Sequence, residues 1–111
     1  MEWAMASSAM GPIGRPMGAI DDAACPGFLD LLRQGVGHAA DSRSDFILDL
    51  GAVDHIAANG LLAMTLARKE AVTRGVKIIL ACPNDLIREV LEISRYQLIF
   101  EIVDTLEPDD R

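Results

Sequence analysis

The sequence predicts an α/β fold, a mixed and mostly parallel sheet of about four strands with helices packed on one side. Three observations lead there. Phe46-Ile47-Leu48 and Val76-Lys77-Ile78-Ile79-Leu80-Ala81 are short apolar runs of the length that suits buried strands, the second rich in β-branched residues. Around them lie stretches whose apolar residues recur at i, i+3 and i+4, the spacing of a helix on a sheet. The two patterns alternate along the chain, as parallel strands joined by crossover helices require.

Residues 1–16 interrupt this regularity. Met5, Met10, Gly11, Pro12, Gly14 and Pro16 give neither a helix nor a strand period. Two readings stay open: a flexible or atypical N-terminal arm, or a segment whose Trp3, Met5 and Met10 fold back over an apolar surface or a neighbouring subunit. The domain proper is expected over 17–106, with a polar tail at 107–111.

Gly18-Ala19-Ile20 is a short strand end, and Asp21 or Asp22 starts a helix that tolerates Pro26 in its first turn. Phe28, Leu31, Leu32 and Val36 form its buried stripe, and Gly35, Gly37 and Ser42-Arg43-Ser44 end it. His38 is a solvated residue near that end. The central strand follows at Phe46–Leu48, and Gly51 to Ala57 carries no period. From Ala58 a helical pattern runs to Arg74, with Gly75 as its stop. After the Val76–Ala81 strand, Asn84 caps a helix with Leu86, Ile87, Val90, Leu91 and Ile93 on its buried side. Tyr96 and Leu98 continue the packing, and Phe100–Val103 is the last strand.

Composition bounds the function. The 111 residues suit one domain, and half of them are hydrophobic, enough for a core. A net charge of −7 argues against a nucleic-acid partner. Cys25 and Cys82 show no ligand or redox spacing, and His38 and His55 lie far from both, so neither metal nor cofactor is expected. Two cysteines are too few for a secreted disulfide scaffold, which makes the cytoplasm the expected setting. No apolar run approaches the ~20 residues of a membrane span, and the N-terminus lacks the pattern of a signal peptide.

Function is expected where the Phe46–Leu48 strand delivers a loop to the start of the next helix, because backbone N–H groups converge there at an exposed corner. Five blocks in register give this a family. Gly18-Ala19-Ile20-Asp21, Phe46-Ile47-Leu48-Asp49-Leu50, Ile56-Ala57-Ala58-Asn59-Gly60-Leu61, Val76-Lys77-Ile78-Ile79-Leu80 and Ile87-Arg88-Glu89-Val90-Leu91 resemble the STAS domain of bacterial anti-sigma factor antagonists. The resemblance covers residues 18 to 106. It implies a STAS-like fold and a non-enzymatic, protein-binding role in transcription regulation. The partner it implies is an anti-sigma factor with a kinase-like ATPase fold, or another STAS protein.

Two departures from the family stand out. Its members usually carry Asp-Ser-Ser-Gly or Asp-Ser-Thr-Gly at the corner, and the first hydroxyl is phosphorylated to expel the partner. Here those positions are Ala57, Ala58 and Asn59 before Gly60; the acceptor position is Ala58, without a hydroxyl, so no phosphorylation switch is expected. The family also has one or two strands before the segment matching Gly18. Residues 1–16 give no sign of them, which would leave a sheet edge bare and open to pairing, including in a homodimer.

The partner-binding residues expected on this basis are Asp21, Asp54, His55, Ala57, Ala58, Asn59, Gly60, Leu62 and Leu66. Asn59 either caps the helix or sits just inside it, and Gly60 allows close backbone approach or a tight helix entry. Asp54 and His55 lack an adjacent nucleophile, so catalysis with them, or with Cys82, ranks last. At ~100° per residue, Leu61, Met64, Ala67, Ala71 and Val72 face the sheet, whereas Asn59, Leu62, Ala63, Leu66 and Glu70 face away. Leu62 and Leu66 are then either covered by a terminal segment or exposed as a docking strip, the favoured reading. The alternative function is a STAS scaffold subunit of a larger complex, such as a stress-signalling assembly or a phospholipid-transport ATPase.

Overall fold

The computed structural model describes residues 1–106; the tail expected at 107–111 lies outside the described residues. Six strands form the sheet: β1 (Glu2–Ser8), β2 (Gly11–Ile20), β3 (Phe46–Asp49), β4 (Val53–Ile56), β5 (Ile78–Ala81) and β6 (Glu101–Val103). Their order is β1-β2-β3-β5-β6, with β4 beside the end of β2. Only β1 and β2 are antiparallel; every other pair is parallel. Helices α1 (Cys25–Asp41), α2 (Ala58–Thr73) and α3 (Asp85–Ile93) supply the main core on one face. The buried residues of the other face, Ile47, Ile79 and Ala81, pack with Ile13, Cys82, Val103 and Leu106, none of them on a helix. The mixed, mostly parallel sheet with helices on one side agrees with the sequence.

The N-terminal residues correct the first expectation. They are not an arm but the hairpin β1–β2, paired from Glu2 with Met17 to Ser8 with Gly11. These are the strands that the resemblance required, so the edge beside β2 is occupied. The hairpin is tolerated because Pro12 and Pro16 flank, rather than occupy, the Ile13–Gly14 stretch where β2 pairs with β3. Trp3 does pack on the domain, edge-on to Phe28 at 6.5 Å, but Met5 and Met10 remain exposed.

Two glycines explain how α1 lies so close to the sheet. A Cβ on Gly35 would stand 2.3 Å from the Phe46 ring, and one on Gly14 would stand 2.9 Å from it and 2.5 Å from Trp3. Phe46 is wholly buried in the slot they leave. Gly35 and Gly37 therefore lie within α1 and do not end it. The helix ends at Asp41, where Ser42 caps and Arg43 takes a left-handed φ of 54°.

β4 was invisible as a strand because it has only four residues, two of them polar and exposed. It continues the path of β3 after a jog at Leu50–Ala52: Ile13 pairs with Ile47 but Ile20 with Ile56, so the register slips by two residues. α3 begins as expected, with Asn84 Oδ1 accepting from the Ile87 N–H at 2.9 Å, while Asn84 Nδ2 donates to the Val53 carbonyl at 2.7 Å. Its buried side is narrower than expected. Ile87 and Leu91 are buried and Val90 is partly so, but Leu86 is exposed and Ile93 is 77% exposed. Leu98 is exposed too, whereas the Tyr96 hydroxyl reaches α2, donating to the Leu61 carbonyl at 2.9 Å.

Candidate functional site

The corner is built by the ends of two parallel neighbours. Strand β2 stops at Ile20 and β4 stops at Ile56, paired side by side. The Ala57 N–H donates to the Ile20 carbonyl at 2.8 Å and holds the two chain ends together. Ala57 is extended (φ −77°, ψ 162°) and opens α2, with its carbonyl accepting from Gly60 and Leu61. Its methyl group offers no side-chain acceptor to the first turn. Beside it, Asp21 is extended and caps a 3-10 turn, Asp22–Ala24, its Oδ1 accepting from the Ala24 N–H at 3.0 Å. That turn leads directly into α1.

The two helix entries are joined by a side chain. Asn59 Nδ2 donates to Asp22 Oδ1 at 3.2 Å. Asn59 thus sits just inside α2 and is not its cap. Asp22 is the residue that sequence reasoning passed over as a site member; only the fold brings it against Asn59, 37 positions later. Gly60 is buried where the first turn of α2 packs over the ends of β2 and β4; a Cβ there would meet Ile56 at 2.9 Å and Ile20 at 3.0 Å, so close backbone approach is the reason for glycine. Ala58 is exposed at the first turn.

The surface around the corner is acidic and polar. Asp21, Asp22, Asp54 and His55 are all exposed. A shallow depression of about 450 Å³ beside Asp21 is lined by Met1, Ala23, Ala24 and Gly27. Asp54 and His55 are consecutive and exposed on β4, at the place where its pairing with β2 is irregular: Gly18 pairs with Val53 but Ala19 with His55, which leaves Asp54 as the extra residue. Cys82 lies elsewhere, on the loop after β5. Burial and the nearby Asp49 carboxylate push its thiol above the usual range, against smaller opposing effects of a Leu106 backbone hydrogen bond and Arg15. Among the described residues, no group of three or more His, Cys, Asp or Glu side chains could hold a metal ion. No helix among them is long and apolar enough to cross a membrane.

From the corner, Leu62 and Leu66 run along the outer side of α2, 52% and 37% exposed. They are neither covered by the hairpin nor packed in the core. The helix is placed by contacts on both flanks. On one side Glu70 pairs with Arg33 of α1 at 2.6 Å; on the other, Thr65 shares a 2.7 Å hydrogen bond with Tyr96, and Arg68 donates to the Ile99 carbonyl at 2.9 Å. Two assignments on this helix are corrected. Ala63 is buried because α1 packs along that flank, and Val72 is 60% exposed because the core ends at Ala71.

Comparison with known proteins agrees with this architecture. The family model of the STAS domain matches residues 12–108. The crystal structure of TM1081, a candidate anti-sigma factor antagonist from Thermotoga maritima, superposes with a TM-score of 0.81 at 18% identity, over 94% of this chain and 87% of that one. The NMR structure of TM1081 gives a TM-score of 0.76 over 95% and 82% of the two chains. The anti-sigma factor antagonist SpoIIAA in its unphosphorylated form gives 0.66 at 15% identity, over 95% of this chain and 90% of that one.

Proposed function

Because the chain belongs to the STAS domain family, we propose that it is a non-enzymatic cytoplasmic regulator that binds another protein through the corner and the outer side of α2. The partner is an anti-sigma factor with a kinase-like ATPase fold, or a related STAS protein. The observation that carries this reading is the pair Leu62 and Leu66, two large apolar side chains in water one helical turn apart, continuous with an exposed strand-to-helix corner. Burying both would contribute on the order of 3–5 kcal/mol before association costs.

Regulation by phosphate at the corner is absent from this reading. Ala58 stands at the family's acceptor position and has no hydroxyl. Thr65 lies two turns into α2 and its hydroxyl is engaged with the Tyr96 hydroxyl and the Leu61 carbonyl. Binding would be constitutive, and control would lie with the partner or with abundance. Identifying by mass spectrometry what co-purifies with the untagged protein tests the proposal. An ATPase-fold anti-sigma factor or a second STAS protein supports it; recovery of a transporter complex alone, with neither of these, would contradict it.

A further inference from the structure

The proposed partner surface lies at one end of α2, whereas β1 ends the sheet on a different side, and no strand lies beyond it among the described residues. Strands at sheet edges present unpaired N–H and C=O groups, and most are guarded by lysine, proline, a bulge or brevity. β1 has none of these guards. It is seven residues long, pairs with β2 without a register break, and carries one charge, Glu2, at its far end. The opposite edge is different: β6 has three residues and begins with Glu101, which is paired with Lys77.

From these features we propose that β1 is a self-association edge, at which the β1 strands of two copies pair antiparallel about a two-fold axis at Met5. The strand is complementary to itself in that register. Met5 meets Met5, Ala4 meets Ala6, Trp3 meets Ser7 and Glu2 meets Ser8, so no like charges face each other although each chain carries −7. A neutral stretch is where two such acidic chains can approach.

The space beside the edge fits the same occupant. Met5 is 45% exposed and points to the helix side of the sheet, as Trp3 does, since residues two apart share a face. On that side an open cavity of about 550 Å³ lies between the hairpin and the end of α1, lined by Met5, Ser7, Pro12, His38 and Ser42 among others. Directly opposed residues of a ladder share a face, so the second copy's Met5 would arrive over this cavity. An unbranched thioether suits a space of irregular shape.

Sedimentation equilibrium of the full chain tests the proposal, together with Met5→Lys and Met5→Cys. The wild type is expected to be a dimer. Met5→Lys, at an exposed position, should keep its thermal midpoint and weaken self-association on the order of tenfold or more, since two ammonium groups would meet at the axis. Met5→Cys should form an interchain disulfide on mild oxidation, because directly opposed strand residues lie within disulfide reach. The wild type, with Cys25 buried and Cys82 half-buried, should not. Leu66→Asp should leave the dimer intact, which separates this edge from the docking strip. A wild type that stays monomeric, or a dimer in which Met5→Cys does not cross-link, overturns the proposal, and the cross-link decides even if Met5→Lys is unfolded.

Discussion

Asn59 donates through its side-chain amide to the Asp22 carboxylate at 3.2 Å, and this bond ties the entry of α2 to the entry of α1. It adds a side-chain link to the backbone bond from the Ala57 N–H to the Ile20 carbonyl, which already joins the two strand ends. With both, the exposed acidic groups and the start of the Leu62–Leu66 strip sit on one frame. An exposed hydrogen bond of this kind contributes little to stability, so its value lies in fixing the geometry that a partner would meet.

Asn84 serves two elements at once, as the cap of α3 and as the donor to the Val53 carbonyl of β4. Asn84→Ala removes both bonds and leaves a part-buried carbonyl without that donor. The expected loss is about 1.5–3 kcal/mol, more than a cap alone gives. Urea unfolding of the variant checks it, and the midpoint should fall with little change in slope.

Gly35→Ala should destabilise although it replaces glycine within a helix. Better helix propensity would favour alanine by up to about 1 kcal/mol, but the new methyl group would stand 2.3 Å from the Phe46 ring. Overpacking of this kind costs about 1–3 kcal/mol, so a net loss of about 1 kcal/mol is expected. Thermal unfolding against the wild type measures it.

Gly35 also shows why sequence legibility was uneven. A glycine within a helical pattern is ambiguous, because its reason is a ring that arrives from a strand eleven residues later. β3, β5, α2 and the Asn84 cap were legible, since their signals are local: apolar runs, period and capping chemistry. The hairpin was not, because Gly14 serves Trp3 and Phe46, and Pro12 and Pro16 are tolerated only through the short reach of the β2–β3 ladder. At the corner, Ala57, Ala58, Asn59 and Gly60 could be located from the family resemblance, whereas Asp22 depended on a long-range contact that no period encodes.

Both thiols bind their protons more tightly when the chain is folded. Burial raises Cys25, with Asp22 and Asp21 adding to it, and burial followed by Asp49 raises Cys82. The unfolded chain therefore loses these protons first as pH climbs through the ordinary thiol range. The contribution is present below that range and is lost as pH rises through the raised folded values. Urea titrations across alkaline pH should show stability falling, and alkylation of Cys82 near neutral pH should be slow.

Ala58→Ser restores a hydroxyl at an exposed first-turn position and should shift stability by no more than about 0.5 kcal/mol. With ATP and the kinase-fold partner, the variant is expected to take up phosphate and then to release that partner, as added negative charge at the contact would require. The wild type should take up none at the corner. Phosphate on neither protein would point to a partner without kinase activity.

The central claim is that Leu62 and Leu66 hold a partner rather than the fold. The most direct measurement is titration calorimetry of the co-purified partner against the wild type, Leu62→Asp and Leu66→Asp, with each variant's unfolding midpoint as control. Each substitution should leave the midpoint nearly unchanged and weaken binding by about tenfold or more, in line with the burial of one leucine. Variants that bind as tightly as the wild type, or that unfold because those leucines support the monomer, would contradict the account.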